Sequence, residues 1–135
     1  MTQRNIHGDW TMSFEKRVVL AKTIGSINAE ACVAWLDEMK DKIQSSPEGY
    51  TTPWVLLTDS RDWEGGSPES WANIDDILSW MFSHNCIFNA VVVNKKLQIW
   101  AGETNLNNQY YKVFYDYDEA YQTCLDKLAE AQQDK

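Results

Sequence analysis

The run Trp54-Val55-Leu56-Leu57-Thr58, followed by Asp59-Ser60-Arg61-Asp62-Trp63-Glu64-Gly65-Gly66-Ser67-Pro68, admits few folds. A short, nearly continuous apolar run suits an interior strand covered on both faces. The run ends on an acid, a polar turn follows, and the Gly65-Gly66 pair releases the backbone. Ser67 then has the form of a helix N-cap, with Pro68 at the first helical position. A strand that passes into a helix in this way belongs to a sheet with helical crossovers. In such sheets ligands and partners dock at the strand ends.

The flanking sequence extends the pattern. Trp10, Met12 and Phe14 alternate with Thr11 and Ser13, the period of a half-buried strand. Glu15-Lys16 is a polar turn and residues 17–24 form a second strand, so the chain opens with a hairpin whose turn lacks an Asn-Gly signal. Gly25-Ser26-Ile27-Asn28 closes that hairpin and starts a helix, with Asn28 as its cap. Cys32, Trp35, Leu36, Met39 and Ile43 make one apolar stripe, and the helix should stop near Ser45-Ser46-Pro47. After Pro68 a second stripe follows, Trp71, Ile74, Ile77, Leu78, Met81 and Phe82, with Trp80 turned away from it. Residues 86–93 form a buried strand and residues 110–115 another. Residues 95–108 fit either a strand extension or a short amphipathic piece, then a loop. Asp116 and Glu119 have capping-box spacing before a last helix with Tyr117, Ala120, Tyr121, Cys124 and Leu128 on one side. The order β-β-α-β-α-β-β-α implies one α/β domain over residues 1–135. Its sheet is mixed and four- to five-stranded, with helices packed against it.

Charge narrows the partners. Twelve Lys and Arg against twenty Asp and Glu give a net charge of −8. That disfavours nucleic acid, whose binding needs phosphates neutralised by bases, and anionic membrane surfaces. It favours a basic partner. No apolar stretch reaches the ~20 residues of a membrane span, and the first residues lack the apolar run of a signal peptide. Cys32, Cys86 and Cys124 are far apart, show no C-x-x-C spacing and sit among apolar neighbours. With only His7 and His84 to help, they complete no zinc site; buried thiols in a reducing, cytoplasmic setting are expected. Neither a P-loop nor a dinucleotide fingerprint follows a strand, so no cofactor is expected.

The element order resembles the SpoIIAA-like family, related to the STAS domain of anti-sigma-factor antagonists. So do the strand 54–58 ending in Asp59-x-Arg61-Asp62-Trp63-x-Gly65, the strand Ala90-Val91-Val92-Val93, and Val113-Phe114-Tyr115-Asp116-x-Asp118-Glu119-Ala120. The resemblance runs from about Gly8 to Leu128. It implies a mixed sheet with packed helices, a bacterial source and action through protein–protein contact. STAS proteins carry a phosphorylatable serine at the start of the helix after the central strand; the matching place is Ser67, with Ser60 second. Here Gly-Gly-Ser-Pro replaces the Asp-Ser-Ser-Gly-Leu type of opening.

Between Asp59 and Asp76 stand six acids and one base, Arg61, so a phosphate on Ser67 would meet repulsion. An N-cap serine needs no other role. Asp59 and Asp62 could divide acid–base work, but no nucleophile, metal set or partner histidine accompanies them. Arg61 between two acids reads as an ion pair that fixes a loop, and His84 as a structural residue near a helix end. Trp63 in the polar loop, Trp80 off its stripe and Trp100 in the ambiguous segment are the candidate exposed aromatics. The expectation is therefore a non-enzymatic binding or regulatory domain. Its contact surface comprises Asp59, Arg61, Asp62, Trp63, Ser67, Trp80 and Trp100. Its partner is another protein with a basic patch, or a second copy of the chain. The alternative is a carrier of a small or lipid-like ligand in an aromatic-lined pocket.

Overall fold

The computed structural model describes residues 9–27, 29–66, 68–94 and 111–133; the side chains of residues 26, 27, 29, 63–66, 68–75, 111, 132 and 133 fall outside that description. Among the described residues the elements are β1 (Asp9–Glu15), β2 (Val18–Ile27), α1 (Ala29–Gln44), β3 (Trp54–Gly66), α2 (Pro68–Ser83), β4 (Cys86–Val92), β5 (Tyr111–Phe114) and α3 (Tyr117–Gln133). The strands form one five-stranded sheet in chain order. β1 and β2 pair antiparallel, and every later pairing is parallel. The mixed sheet expected from the sequence is present, with helices on both faces.

Successive residues of a strand point to opposite faces, so a continuous apolar run serves two cores. Trp54 and Leu56 of β3, with Val19 and Ala21 of β2, pack against Ala31, Cys32, Met39 and Ile43 of α1 and Ile77 and Met81 of α2. Val55 and Leu57, with Val18, Phe88, Ala90, Val92 and Phe114, pack against Ala120, Cys124 and Leu128 of α3. Trp10, Met12 and Phe14 of β1 close the first core from the edge. All three cysteines are buried. Burial pushes the Cys86 and Cys124 thiols up to about 12, so neither is ionised at neutral pH.

Local details differ from the sequence expectation at four places. The hairpin turn uses Lys16 and Arg17 at φ 53° and 65°, the two positive values of a type I′ loop, without the usual Asn-Gly. Gly25, Ser26 and Ile27 continue β2 instead of leading into the helix, while Asn28 lies outside the described residues. β3 runs to Gly66, so the segment expected as a loop is paired strand, with Trp63 opposite Gly25 and Gly66 opposite Ile27. Trp80 is half-buried against the first core rather than outside it.

The extension of β3 is irregular. Lys22 pairs with Asp59 and Ile24 with Asp62, then Gly25 pairs with Trp63 and Ile27 with Gly66. Each step takes two residues of β2 and three of β3, so β3 carries an extra residue twice. Such bulges bend a strand and re-aim its side chains, which is common beside functional sites. Backbone pairing is indifferent to side-chain polarity, so this polar stretch stays in the sheet after the apolar pattern stops.

At the other end of the sheet, Arg17 ties the hairpin to the α1–β3 connection. Its guanidinium donates to the carbonyls of Gly49 (2.8 Å), Thr52 (2.9 Å) and Pro53 (3.3 Å) and to Ser46 Oγ (3.4 Å). Glu48 lies 3.4 Å away and the Phe14 ring beneath. Asn85, at φ 73°, takes the left-handed position after α2 and donates to the Tyr50 carbonyl.

Candidate functional site

Beyond Leu57 the α3 side of β3 turns polar. Asp59 is 6% exposed, and its carboxylate accepts two hydrogen bonds from Arg61, Nε at 2.9 Å and Nη2 at 2.8 Å. The Arg61 backbone N–H also donates to Asp59, at 3.2 Å. Burial alone would raise the Asp59 carboxyl. The hydrogen bonds from Arg61 and the charges of Arg61 and Lys22 outweigh it and hold the carboxyl below its ordinary 3.8. Asp59 in return raises Arg61. Lys22 does not join this pair: its Nζ reaches Asp62 at 3.3 Å, which the first bulge of β3 brings to the same face. Among the described residues the carboxylate that Arg61 hydrogen-bonds is Asp59, and Asp62 acts on it only through its charge.

A depressed carboxyl contributes stability above its unfolded pKa and loses it as pH falls through the folded one. Asp59→Asn should therefore cost about 1–2 kcal/mol at neutral pH, a figure kept low because Arg61 is half exposed and screened. The difference from the parent should narrow as pH drops below about 4. Urea unfolding at a series of pH values measures it; a difference that does not shrink on acidification removes the pair from the stability of this end of the sheet.

The pair lines a cleft of about 450 Å³ between the hairpin and the start of α3, formed by Thr11, Met12, Ser13, Leu20, Ala21, Lys22, Asp59, Arg61 and Tyr117. Its rows follow from register. Thr11 pairs with Lys22 and Lys22 with Asp59; Ser13 pairs with Leu20. On the α3 side, β1 and β2 therefore present Thr11, Ser13, Leu20 and Lys22 next to Asp59 and Arg61. α3 itself begins where Asp116 Oδ1 accepts the Asp118 backbone N–H at 3.0 Å. Tyr117 in that first turn lies under the Arg61 guanidinium, 5.7 Å from its ring centroid. Burial, then the Asp59 charge, raises the Tyr117 phenol, which stays protonated at neutral pH. Asn94 Nδ2 donates to the Arg61 carbonyl at 2.6 Å and steadies the strand from the β4 side.

The residues expected at one surface are divided. Asp59, Arg61 and Asp62 are together at the carboxyl end of β3. The side chain of Trp63 and the whole of Ser67 and Trp100 lie outside the described residues. Trp80 stands at the other end. It stacks on His84 (4.6 Å between ring centroids), contacts Trp54 (6.2 Å) and Tyr50 (5.5 Å), and lies beneath Lys40. Trp54 and Asp59 are five residues apart on one strand, roughly 17 Å at ~3.3 Å per residue. The ~100° helical step turned Trp80 off the main stripe, but the 46–53 connection supplies Tyr50 to cover it. His84 Nδ1 lies 2.7 Å from the Trp80 carbonyl and 3.0 Å from Ser83 Oγ, a helix-end arrangement. Ser60, second choice for phosphorylation, is 5% exposed and lies 3.3 Å from Thr23 Oγ1 on the α1 side.

The sequence reading missed Lys22, Thr11 and Ser13 as site residues. One signal was present: Lys22 is a charge inside an otherwise apolar strand, which needs either solvent or a partner. Around the cleft the described residues offer one aromatic ring, Tyr117, not the several expected of an apolar ligand pocket. Among the described residues no three His, Cys, Asp or Glu side chains group closely enough to hold a metal ion, and no helix is long and apolar enough to cross a membrane.

No family model matches the sequence, and no curated protein matches it significantly. Solved structures do resemble it. An uncharacterized protein of the DUF3478 family with a SpoIIAA-like fold, from Shewanella loihica, is 20% identical with a TM-score of 0.62, covering 87% of this chain and 95% of that one. An anti-sigma factor antagonist from Mycobacterium paratuberculosis is 13% identical with a TM-score of 0.63, over 89% of this chain and 96% of that one. A putative anti-sigma factor antagonist from Thermotoga maritima is 19% identical with a TM-score of 0.62, over 86% and 94%. Nearly whole-chain superposition on all three, together with the sheet order and the helices on both faces, gives this chain the SpoIIAA-like fold.

Proposed function

We infer that the protein is a non-enzymatic binding or regulatory domain that acts through contact with another protein, at the carboxyl end of its parallel strands. The observation that carries this reading is the polar, twice-bulged continuation of β3. There a buried Asp59 fixes Arg61, and Asp62 stands exposed beside Lys22. A strand end whose charged groups are already held by one another suits recognition, since pre-ordered groups lose little entropy on binding. Trp63 and Ser67, next in sequence, complete the proposed surface, and Trp80 drops out of it because it packs at the far end. Two of the similar structures are described as anti-sigma factor antagonists, which supports a protein partner. The excess of acids favours a basic one and would act mainly on the association rate.

Site-specific photo-crosslinking in the cells that make the protein tests this. A benzoylphenylalanine at Asp62 should give one discrete adduct with another protein or a second copy, and the same group at Lys127 on α3 should give none. Equal labelling from both positions, or none from Asp62, would remove the surface.

A further inference from the structure

The cleft beside Arg61 has the makings of a ligand site of its own. Arg61 spends Nε and Nη2 on Asp59, leaving Nη1 with no partner among the described residues. Asp59 on one side and the Tyr117 ring on the other hold that guanidinium in one plane. Lys22 keeps donor capacity beyond its single ion pair with Asp62. The hydroxyls of Thr11, Ser13 and Tyr117 line the same space and make no hydrogen bond among the described residues. Leu20 and the Tyr117 ring supply the apolar surface on this side, while Met12 and Ala21 turn their side chains to the first core and bring only backbone to the cleft. The lining holds two cations, Lys22 and Arg61, and one carboxylate, in a chain whose net charge is −8. A volume of about 450 Å³ lies within the range of small-ligand sites.

We propose that this cleft binds a monocarboxylate with an apolar body: the carboxylate on Arg61 Nη1 and Lys22, the body on Leu20 and the Tyr117 ring. A planar guanidinium with a free edge suits a carboxylate, and charge-assisted bonds from a pre-held arginine are the strong kind. A dianion is disfavoured, because Asp62 stands beside Lys22 and Asp116, Asp118 and Glu119 crowd the start of α3. The carboxylate could belong to a free small molecule or to the end of a peptide chain; both share this chemistry. The site does not rest on the protein-contact reading above, and its test uses the purified chain alone.

Backbone and arginine side-chain NMR shifts of the full chain are followed during titration with 3-phenylpropionate, 3-phenylpropanol, acetate and the tripeptide acetyl-Ala-Ala-Phe. Saturable shifts at Thr11, Lys22, Arg61 and Tyr117 with the phenylpropionate or the peptide are expected, with the alcohol and acetate each about tenfold weaker or worse. The tighter of the two carboxylates identifies the source. Lys22→Gln should weaken binding about three- to tenfold, Arg61→Gln about tenfold or more, and Lys127→Gln not at all. Arg61→Gln leaves Asp59 buried without its partner, so Lys22→Gln carries the comparison if that variant does not fold. Shifts that never saturate, an alcohol that binds as well as the acid, or a Lys22→Gln protein that binds like the parent would each overturn the proposal.

Discussion

Trp54→Ala is expected to cost about 3–5 kcal/mol of unfolding free energy, the range for a large buried aromatic. The melting midpoint should fall by about 10 °C or more. Trp54 is 0% exposed at the start of β3, and its Nε1 donates to the His84 carbonyl at 2.7 Å. Truncation opens a cavity between α1, α2 and the sheet. It also removes the donor to the last turn of α2 and the floor under Trp80, whose ring lies 6.2 Å from that of Trp54. Trp54→Phe separates the two contributions: the ring volume mostly remains while the N–H is lost, for about 1 kcal/mol plus a smaller packing loss. Trp80→Ala should also destabilise rather than leave stability unchanged, because Trp80 is the outer layer of the same stack. Denaturant unfolding reads all three. A Trp54→Ala protein within 1 kcal/mol of the parent would contradict the two-sided core described here.

The second large effect is at Arg17. Arg17→Met keeps the length and much of the apolar contact but removes every donor. Three carbonyls, those of Gly49, Thr52 and Pro53, then lose a charged partner in a half-buried setting. About 2–4 kcal/mol is expected, since hydrogen bonds to charged groups are worth more than neutral ones and the acceptors stay partly desolvated. Arg17→Lys should rescue little, because one ammonium cannot reach carbonyls arranged around a planar fork. Glu48→Gln should change stability by less than about 0.5 kcal/mol, since Glu48 is 54% exposed and its 3.4 Å contact with Arg17 is screened. Midpoints should move in urea without a change in slope, showing that the native state, not the denatured one, has altered. An Arg17→Met protein as stable as Glu48→Gln would mean that the carbonyls find water at no cost.

Much of the architecture was legible in the chain. The alternation of Trp10, Met12 and Phe14 marked β1 as a half-buried strand, and those three side chains do close one core. The stripes led by Cys32 and Tyr117 located α1 and α3, and the continuous run 54–58 marked a strand buried on both sides. These features are local, and each follows from the period of its element. The resemblance to the SpoIIAA-like family rested on the same order of elements, and the solved structures agree with it.

The carboxyl end of β3 was not legible. Residues 59–66 carry acids, an arginine and two glycines, a turn by composition, yet β2 pairs with them through two bulges. The partner of Arg61 was equally hidden. Asp59 and Asp62 are both near in sequence, and only the extra residue in β3 decides that Asp59 holds Arg61 while Asp62 meets Lys22. Trp80 was misplaced because a helical wheel counts faces of one helix and cannot see Tyr50 arriving from a distant connection. Hydrophobic period thus determined which elements form and what they bury, because burial is recorded residue by residue. Register, bulges and contacts between distant segments decided the cleft, because backbone pairing and side-chain meeting depend on where separate elements come to rest.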